Sequence, residues 1–572
     1  MDKSLFMQPL AYLLHLQSLF WFGWIVSIVL LLGFVVGLIV VCSLRKKIFS
    51  GEVPTAPSYF DSPSAGLSTA SLLMVTGLFG AAFISRYWLK GFMFGPWYLM
   101  DDGLDSCILP FQLTQRETPW GGHTHYLVWF IYLIAYRLFG FGPEVARVTA
   151  ISFFAMSVVI FYWALHRPFG KQVAWFVVGM MLFSSPFIIH SIYATAIAFS
   201  LLPTAIILWI VTRPLTAVSA GSMGLVLAAS LYLYPGAFLT GLCLIFLHAL
   251  VFHRSWTWKF RAISLFAFVS AAALSYRIRL VVTSNLDWKQ WSGGELSFGG
   301  IGPRVSTVLK DTFWESLSFN SLNADAPYFD TGMVGLLIIG MGSSLMFFES
   351  QPSMRERKWI WISVMSFLGS VVLSGLAGRY PGVRRVLSSF PLLFLIAGLG
   401  LKYLWQSKVF RPFLRATIVV GFALVPMRSY AIGQQYWPTL RYFSRQPDFM
   451  VAAGQALLQN TDSRKNVVII YQNPESPWGG QLHRCALGLD ERLNGHFHSV
   501  TAIPQSGLQQ WQEVHGEFVL FSDELFTENQ LQNLFGYPPH SSRVVRFSGP
   551  HQSAQLLAIY DFRPDSTQQH TP

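Results

Sequence analysis

Apolar residues run in long blocks along this chain, separated by short polar and basic stretches. Blocks at 19–42, 68–88, 145–165, 172–189, 194–212, 218–234, 236–252, 262–282, 331–348, 359–376, 387–405 and 414–430 stand out. Each approaches the roughly 20 apolar residues a helix needs to cross the hydrocarbon. Several carry Pro and Gly, which a helical bundle tolerates when neighbours satisfy the freed backbone groups. From "NVVIIYQ" (466–472) onward the blocks shorten and charges return. β-type runs follow, among them "FVLF" (518–521) and "QLLAIYDF" (555–562), with helix-like stretches such as "DFMVAAGQALLQ" (448–459) nearby. The pattern predicts a polytopic α-helical membrane protein of about twelve spans, then a C-terminal α/β domain of roughly 120 to 140 residues. We divide the chain into 1–67 (an extra first span and its linker), 68–430 (the membrane domain) and 431–572 (the α/β domain). The tail "DSTQQHTP" reads as disordered.

Composition agrees with a membrane setting. The chain is 53% hydrophobic and 12% charged, with 49 Phe and 20 Trp, and its mean hydropathy is +0.44. Such a chain solvates apolar surface with lipid rather than hiding it all in a core. The net charge of +12 does not point to nucleic acid, because the basic residues cluster at the ends of apolar blocks. "RKK" (45–47), "HRPFGK" (166–171), "TRP" (212–214), "HRSWTWKFR" (253–261), "RERK" (355–358) and "KVFRPFLR" (408–415) all fall on the cytoplasmic side if the twelve blocks cross. The apolar stretch 125–139 would break this parity as a further span. It is therefore expected to lie along the outer interface, with Trp129, Tyr132, Tyr136 and Arg137 at headgroup depth. The first block is too long for the core of a cleavable signal and lacks its small-residue site, so it reads as a retained span. Of the four cysteines, Cys42 and Cys243 lie in apolar blocks, whereas Cys107 and Cys485 face the oxidising side. Sequence does not say whether those two meet.

Against this scarcity of charge, "FGPWYLMDDGLDSCILPF" (94–111) places Asp101, Asp102 and Asp105 just after the second block, on the outer face. Adjacent carboxylates repel, which keeps one protonated more readily and suits it to accept a proton near neutral pH. "DDG" is equally good as a turn and helix cap, and the residues alone leave both readings open.

The surroundings resemble a family. An outward Asp-Asp after an early span is similar to the integral membrane glycosyltransferases of the GT-C superfamily, among them the protein O-mannosyltransferases and the aminoarabinose transferases of lipid A. "HTHYLVWFIYLIAYRLFGFGPEVARVTAISFFAMSVVIFYWALHRPFG" (123–170) resembles their His- or Lys-led juxtamembrane aromatic helix, followed by "LFG", an acid, "AR", a span and a closing "R-x-F-G". "GRYPGVRRVLSSFPLLFLIAGLGL" (378–401) resembles their late "RY…P" approach to a span. The likeness covers roughly 70 to 430 by layout. Three departures are visible: the extra span 19–42, "HTH" in place of "HPP" or "KPP", and Asp-Asp where many members have Asp-Glu.

The resemblance implies a GT-C-like fold with outer juxtamembrane helices in a bacterial inner membrane, the active site facing the periplasm. It implies transfer of a hexosyl or pentosyl group from a polyprenyl-phosphate sugar to a glycan, lipid or protein acceptor, with inversion. Asp101 or Asp102 would be the base. Arg379, Tyr380, Arg384, Arg385 and Arg147 are the candidates for the donor phosphate, since guanidinium suits an oxyanion, with Arg277 and Arg279 after them. Asp105, His123, His125, Trp288, Trp291 and Glu295 are substrate-binding candidates; Trp faces stack on sugars, and the glycines of "DWKQWSGGELSFGGIG" suit a mobile loop. Some relatives use Mg²⁺ or Mn²⁺, for which Asp101, Asp102 and His125 would be the ligands, but loop histidines without metal are favoured. Glu144 and Arg147 lie three apart and are expected to pair across a helical turn. Two other classes compete: a transporter or flippase of a lipid-linked sugar, which would place charges in mid-membrane and show inverted repeats, and a noncatalytic scaffold. Only an enzyme needs the acids and the 379–385 arginines in one outward chamber.

Overall fold

The computed structural model describes residues 69–93, 106–107, 110–111, 125–192, 194–282, 301–313, 331–346, 353–376, 383–406, parts of 412–422, 465–471, 497–504, 518–522, 525–547 and 555–562. Expectations for 19–42, 448–459 and the tail fall outside them. The helices are α1 (Thr69–Met93), α2 (Tyr126–Phe139), α3 (Pro143–Phe169), α4 (Lys171–Phe183), α5 (Ser185–Ile192), α6 (Leu201–Val211), α7 (Ala217–Leu233), α8 (Pro235–Val251), α9 (Trp258–Val282), α10 (Ile301–Phe313), α11 (Thr331–Met346), α12 (Met354–Leu376) and α13 (Phe390–Gln406). Their positions track the apolar blocks. Among the described residues, Glu144–Phe169, Met354–Gly375 and Arg385–Gln406 are long and apolar enough to cross a membrane. Shorter apolar helices, such as Ala196–Val211 and Pro235–Val251, pack beside them.

The block at 172–189, expected as one span, is instead broken. α4 and α5 meet at 70° around Ser184. Pro186 is the reason: it has no N–H to donate to the Leu182 carbonyl one turn back. Arg86 of α1 fills the gap. Its guanidinium donates to Leu182 O at 2.6 Å and Met181 O at 3.4 Å, and it lies 4.8 Å from the Phe154 ring centre. Arg86 is buried, so a cation that would be costly in lipid is held by carbonyl oxygens and an aromatic face. The block at 194–212 likewise starts as a 3₁₀ turn, Ala196–Phe199, before α6.

Helices pack through small residues where backbones approach. α7 and α9 run together at Gly224, where a Cβ would meet the Phe268 nitrogen at 2.8 Å and, closer still, the Ser264 carbonyl. Ser264 Oγ donates to Ala220 O at 3.0 Å across the same seam. In lipid, where the hydrophobic effect does not drive helices together, close packing and such hydrogen bonds supply the association.

The sheet comprises β1 (Lys465–Tyr471), β2 (Phe497–Pro504), β3 (Phe518–Ser522), β4 (Ser541–Phe547) and β5 (Gln555–Phe562), in the order β2-β1-β3-β5-β4. β1 pairs in parallel with β2 and β3, while β5 is antiparallel to β3 and β4. Side chains alternate across it. Phe518, Leu520, Ala558, Tyr560 and Phe562 face α14 (Glu528–Phe535) in one core, whereas Val519 and Ile559 turn to the apolar cluster of the helical bundle. α14 starts at a reciprocal Thr527–Gln530 capping box and ends at a left-handed Gly536.

Candidate active site

α2 is 14 residues long, about 21 Å of helix, which is short of the roughly 30 Å hydrocarbon. One face is buried: Tyr126, Val128, Trp129, Tyr132, Ala135 and Tyr136. This corrects the expectation that Trp129, Tyr132 and Tyr136 face lipid headgroups. They pack into protein, against α3, α7 and the Phe199 ring, while Arg137, Leu138 and Phe139 are exposed. An aromatic stripe at helical spacing does not by itself tell a lipid interface from a protein one, since both favour large rings with a polar tip.

Both ends of α2 are tied to candidate chemistry. Near its C-terminus, the buried Tyr136 hydroxyl donates to Ser106 O at 2.7 Å. Ser106 and Cys107 are themselves buried, and Cys107 is disulfide-bonded. The chain that carries the three aspartates is therefore anchored one residue after Asp105. At the N-terminus, the ring of His125 lies 5.6 Å from that of Tyr234.

Tyr234 caps α8 in an extended conformation, with Pro235 pre-setting the first helical turn. Next comes Gly236, whose missing side chain lets the 3₁₀ turn Val383–Ser389 approach. A Cβ there would sit 2.8 Å from the Arg385 carbonyl carbon and nearer still to its oxygen. Buried hydroxyls fasten the same contact: Ser388 Oγ donates to Gly236 O at 3.0 Å, Thr240 Oγ1 and Ser388 Oγ lie 2.9 Å apart, and Ser370 Oγ donates to Thr240 at 3.2 Å. α10 packs over the turn and against α12. One continuous path thus links the neighbours of the acidic pair to Arg385: Ser106, Tyr136, α2, His125, Tyr234, Gly236 and the turn.

Of the sequence-derived residues, the structure brings His125 and Arg385 to this end of the bundle. Arg384 lies in the same turn, and Arg277 and Arg279 occupy the last turns of α9. Arg147 is buried on α3. Glu144 accepts a hydrogen bond from Tyr87. Asp101, Asp102, Asp105, His123, Trp288, Trp291, Glu295, Arg379 and Tyr380 lie outside the described residues. Among the described residues, no three of His, Cys, Asp or Glu form a metal-binding group. Tyr136 was expected only as an interfacial aromatic, and Tyr234 and Gly236 were not anticipated; for those two the Tyr-Pro-Gly step at the head of a span was the available signal.

No protein-family model and no curated relative matches the chain. Solved structures of ArnT from Cupriavidus metallidurans are similar to it. The form bound to undecaprenyl phosphate has 11% identity over 85% of this chain and 98% of that chain, with a TM-score of 0.48. The apo form has 11% identity over 86% and 98%, with a TM-score of 0.49. The archaeal oligosaccharyltransferase AglB from Archaeoglobus fulgidus, in complex with an inhibitory peptide and a dolichol-phosphate, is similar at 9% identity over 79% of this chain and 70% of that chain, with a TM-score of 0.40.

Proposed function

We propose that the chain is an integral membrane glycosyltransferase that moves a sugar from a polyprenyl phosphate to an acceptor on the outer face. The observation that carries this reading is the close seating of the Arg385 turn on Gly236, beside the His125–Tyr234 ring pair at the head of α2. A scaffold has no reason to fasten an arginine-bearing turn beside His125 through buried hydroxyls.

The chemistry follows from the residue types. A nucleophilic oxygen or nitrogen of the acceptor attacks the anomeric carbon while the bond to the phosphate oxygen breaks, and the configuration inverts. Asp101 or Asp102 takes the acceptor proton. The phosphate leaves with the bonding electrons, and the guanidinium groups of Arg379, Arg384 and Arg385, with Tyr380, stabilise its charge; Arg147 is the reserve cation. Asp105, His123, His125, Trp288, Trp291 and Glu295 contact the sugar or acceptor. If a divalent ion takes part, Asp101, Asp102 and His125 are its ligands, and chelation would abolish turnover until Mg²⁺ or Mn²⁺ is restored.

The test is incubation of the purified protein with polyprenyl-phosphate hexoses and pentoses, followed by mass spectrometry for released polyprenyl phosphate and modified acceptors. Asp101→Asn, Asp102→Asn and Arg379→Ala are compared with wild type. Loss of about 100-fold or more in one aspartate variant is expected for a missing general base. Near-wild-type turnover in all three variants rejects the assignment.

A further inference from the structure

The opposite end of the bundle holds a concentration of positive charge that the proposed reaction does not use. α3 ends at Phe169, and Gly170, at φ 91°, turns the chain directly into α4. Arg167 and Lys171 flank this elbow, both exposed, and His166 lies in the field of both. α6 packs along α3 and ends beside it. There the half-buried Arg213 stacks on its own helix, with its guanidinium carbon 4.3 Å from the Trp209 ring centre. Burial, and then the positive charge of Arg167, lower the Arg213 pKa.

Like charges are being held together here without an opposing acid. On the described helices of the bundle the carboxylates are Glu144, Asp311 and Glu356. Glu144 is in the first turn of α3, at its other end, and Asp311 is on α10, which packs on the turn next to Gly236. Glu356 is already occupied: Lys402 Nζ donates to it at 2.9 Å and the Tyr403 hydroxyl at 2.8 Å. Among the described residues, no carboxylate lies within ion-pair distance of Arg167, Lys171 or Arg213. The first turn of α4 makes the field more positive still, since it has Lys171 at its head, no acid and no side-chain cap.

Positive-inside sorting explains cations near a helix end. It does not explain a half-buried arginine fixed on a tryptophan within range of a second arginine. We propose that Arg167, Lys171 and Arg213, with the Trp209 ring, form a binding site for the phosphate headgroup of an anionic phospholipid in the leaflet at this end of the protein. The setting is a basic cluster at adjoining ends of packed membrane helices, and such clusters attract acidic headgroups. Arginine supplies forked donors for the phosphate oxygens, and an exposed Trp175 on α4 lies alongside for the acyl region.

The test uses the full-length protein in neutral detergent, titrated with phosphatidylglycerol or phosphatidylcholine and read by native mass spectrometry. Wild type should retain phosphatidylglycerol in preference. Arg167→Ala/Arg213→Ala should weaken that retention about thirtyfold, for two charges near a headgroup. Lys259→Ala/Arg261→Ala, which removes two exposed cations at the head of α9, should leave it within about twofold. Arg167→Gln/Lys171→Gln alters only exposed side chains and decides the matter if the first pair fails to fold. Equal retention of the two lipids by wild type overturns the proposal. So does equal loss in the test and control variants, or full displacement of the lipid by millimolar inorganic phosphate.

Discussion

Gly236→Ala is the substitution that tests the site's geometry while leaving its chemistry untouched. The added methyl would lie 2.8 Å from the Arg385 carbonyl carbon and 3.0 Å from its Cα. Ordinary contact begins near 3.4 Å, so the turn must retreat by at least about 0.6 Å, because backbone atoms offer no rotamer to swing away. Ser388, bonded to Gly236 O and to Thr240, resists that retreat. Misplacement of about 1 Å costs a site on the order of 100-fold, so about 10- to 100-fold is expected in turnover, or roughly 1.4 to 2.7 kcal/mol of transition-state stabilisation. Overpacking should also lower stability by about 1–3 kcal/mol. Gly221→Ala is the control, since nothing lies within 4 Å of a Cβ there. The assays are polyprenyl phosphate binding by thermal shift, which needs no knowledge of the sugar, and release of polyprenyl phosphate from donor. A folded Gly236→Ala protein with wild-type binding and turnover would refute the claim that this contact sets the position of Arg384 and Arg385.

Tyr136→Phe removes the 2.7 Å bond to the buried Ser106 carbonyl; stability should fall by about 1–3 kcal/mol, with turnover falling further than partial unfolding explains, and unchanged turnover would detach α2 from the acid loop. Cys243 is a free thiol, and Cys42 lies beside the "RKK" cluster on the cytoplasmic side of the positive-inside reading. Peptide mapping without reductant is therefore expected to return Cys107 joined to Cys485; a Cys107–Cys42 peptide would overturn the assigned sidedness. Glu356→Ala strips Lys402 and Tyr403 of a shared acceptor and should cost about 3 kcal/mol in chemical unfolding, with donor binding intact if the two ends of the bundle are independent.

Much of the fold was legible because lipid imposes a simple pattern: α7, α8 and α13 lie within a few residues of the blocks read from hydropathy. The break at Ser184 was not read: the Ser-Ser-Pro step signals it, but an apolar block of ordinary length hid it. β2 and β4 were missed since "FHSVTAIP" and "SSRVVRF" are edge strands with interspersed polar positions, and β4 leaves Ser541 to Val544 exposed. α14 had its signature in Thr-x-x-Gln, but only Leu531 on that helix is fully buried, and the apolar pattern is faint. The candidate site was half legible. Residue types and sidedness nominated His125 and Arg385, yet no local pattern links Ser106 to Tyr136 or Gly236 to Arg385, because such contacts depend on how helices cross.

The strand order also sets a schedule. β5 lies between β3 and β4 and supplies Phe562, which stacks at 4.5 Å on Phe518 of β3. During synthesis, β3 and β4 emerge before the strand that joins them, each with an open edge ready to pair with a foreign chain. The hazard ends only when residues 555–562 leave the ribosome and slot between them.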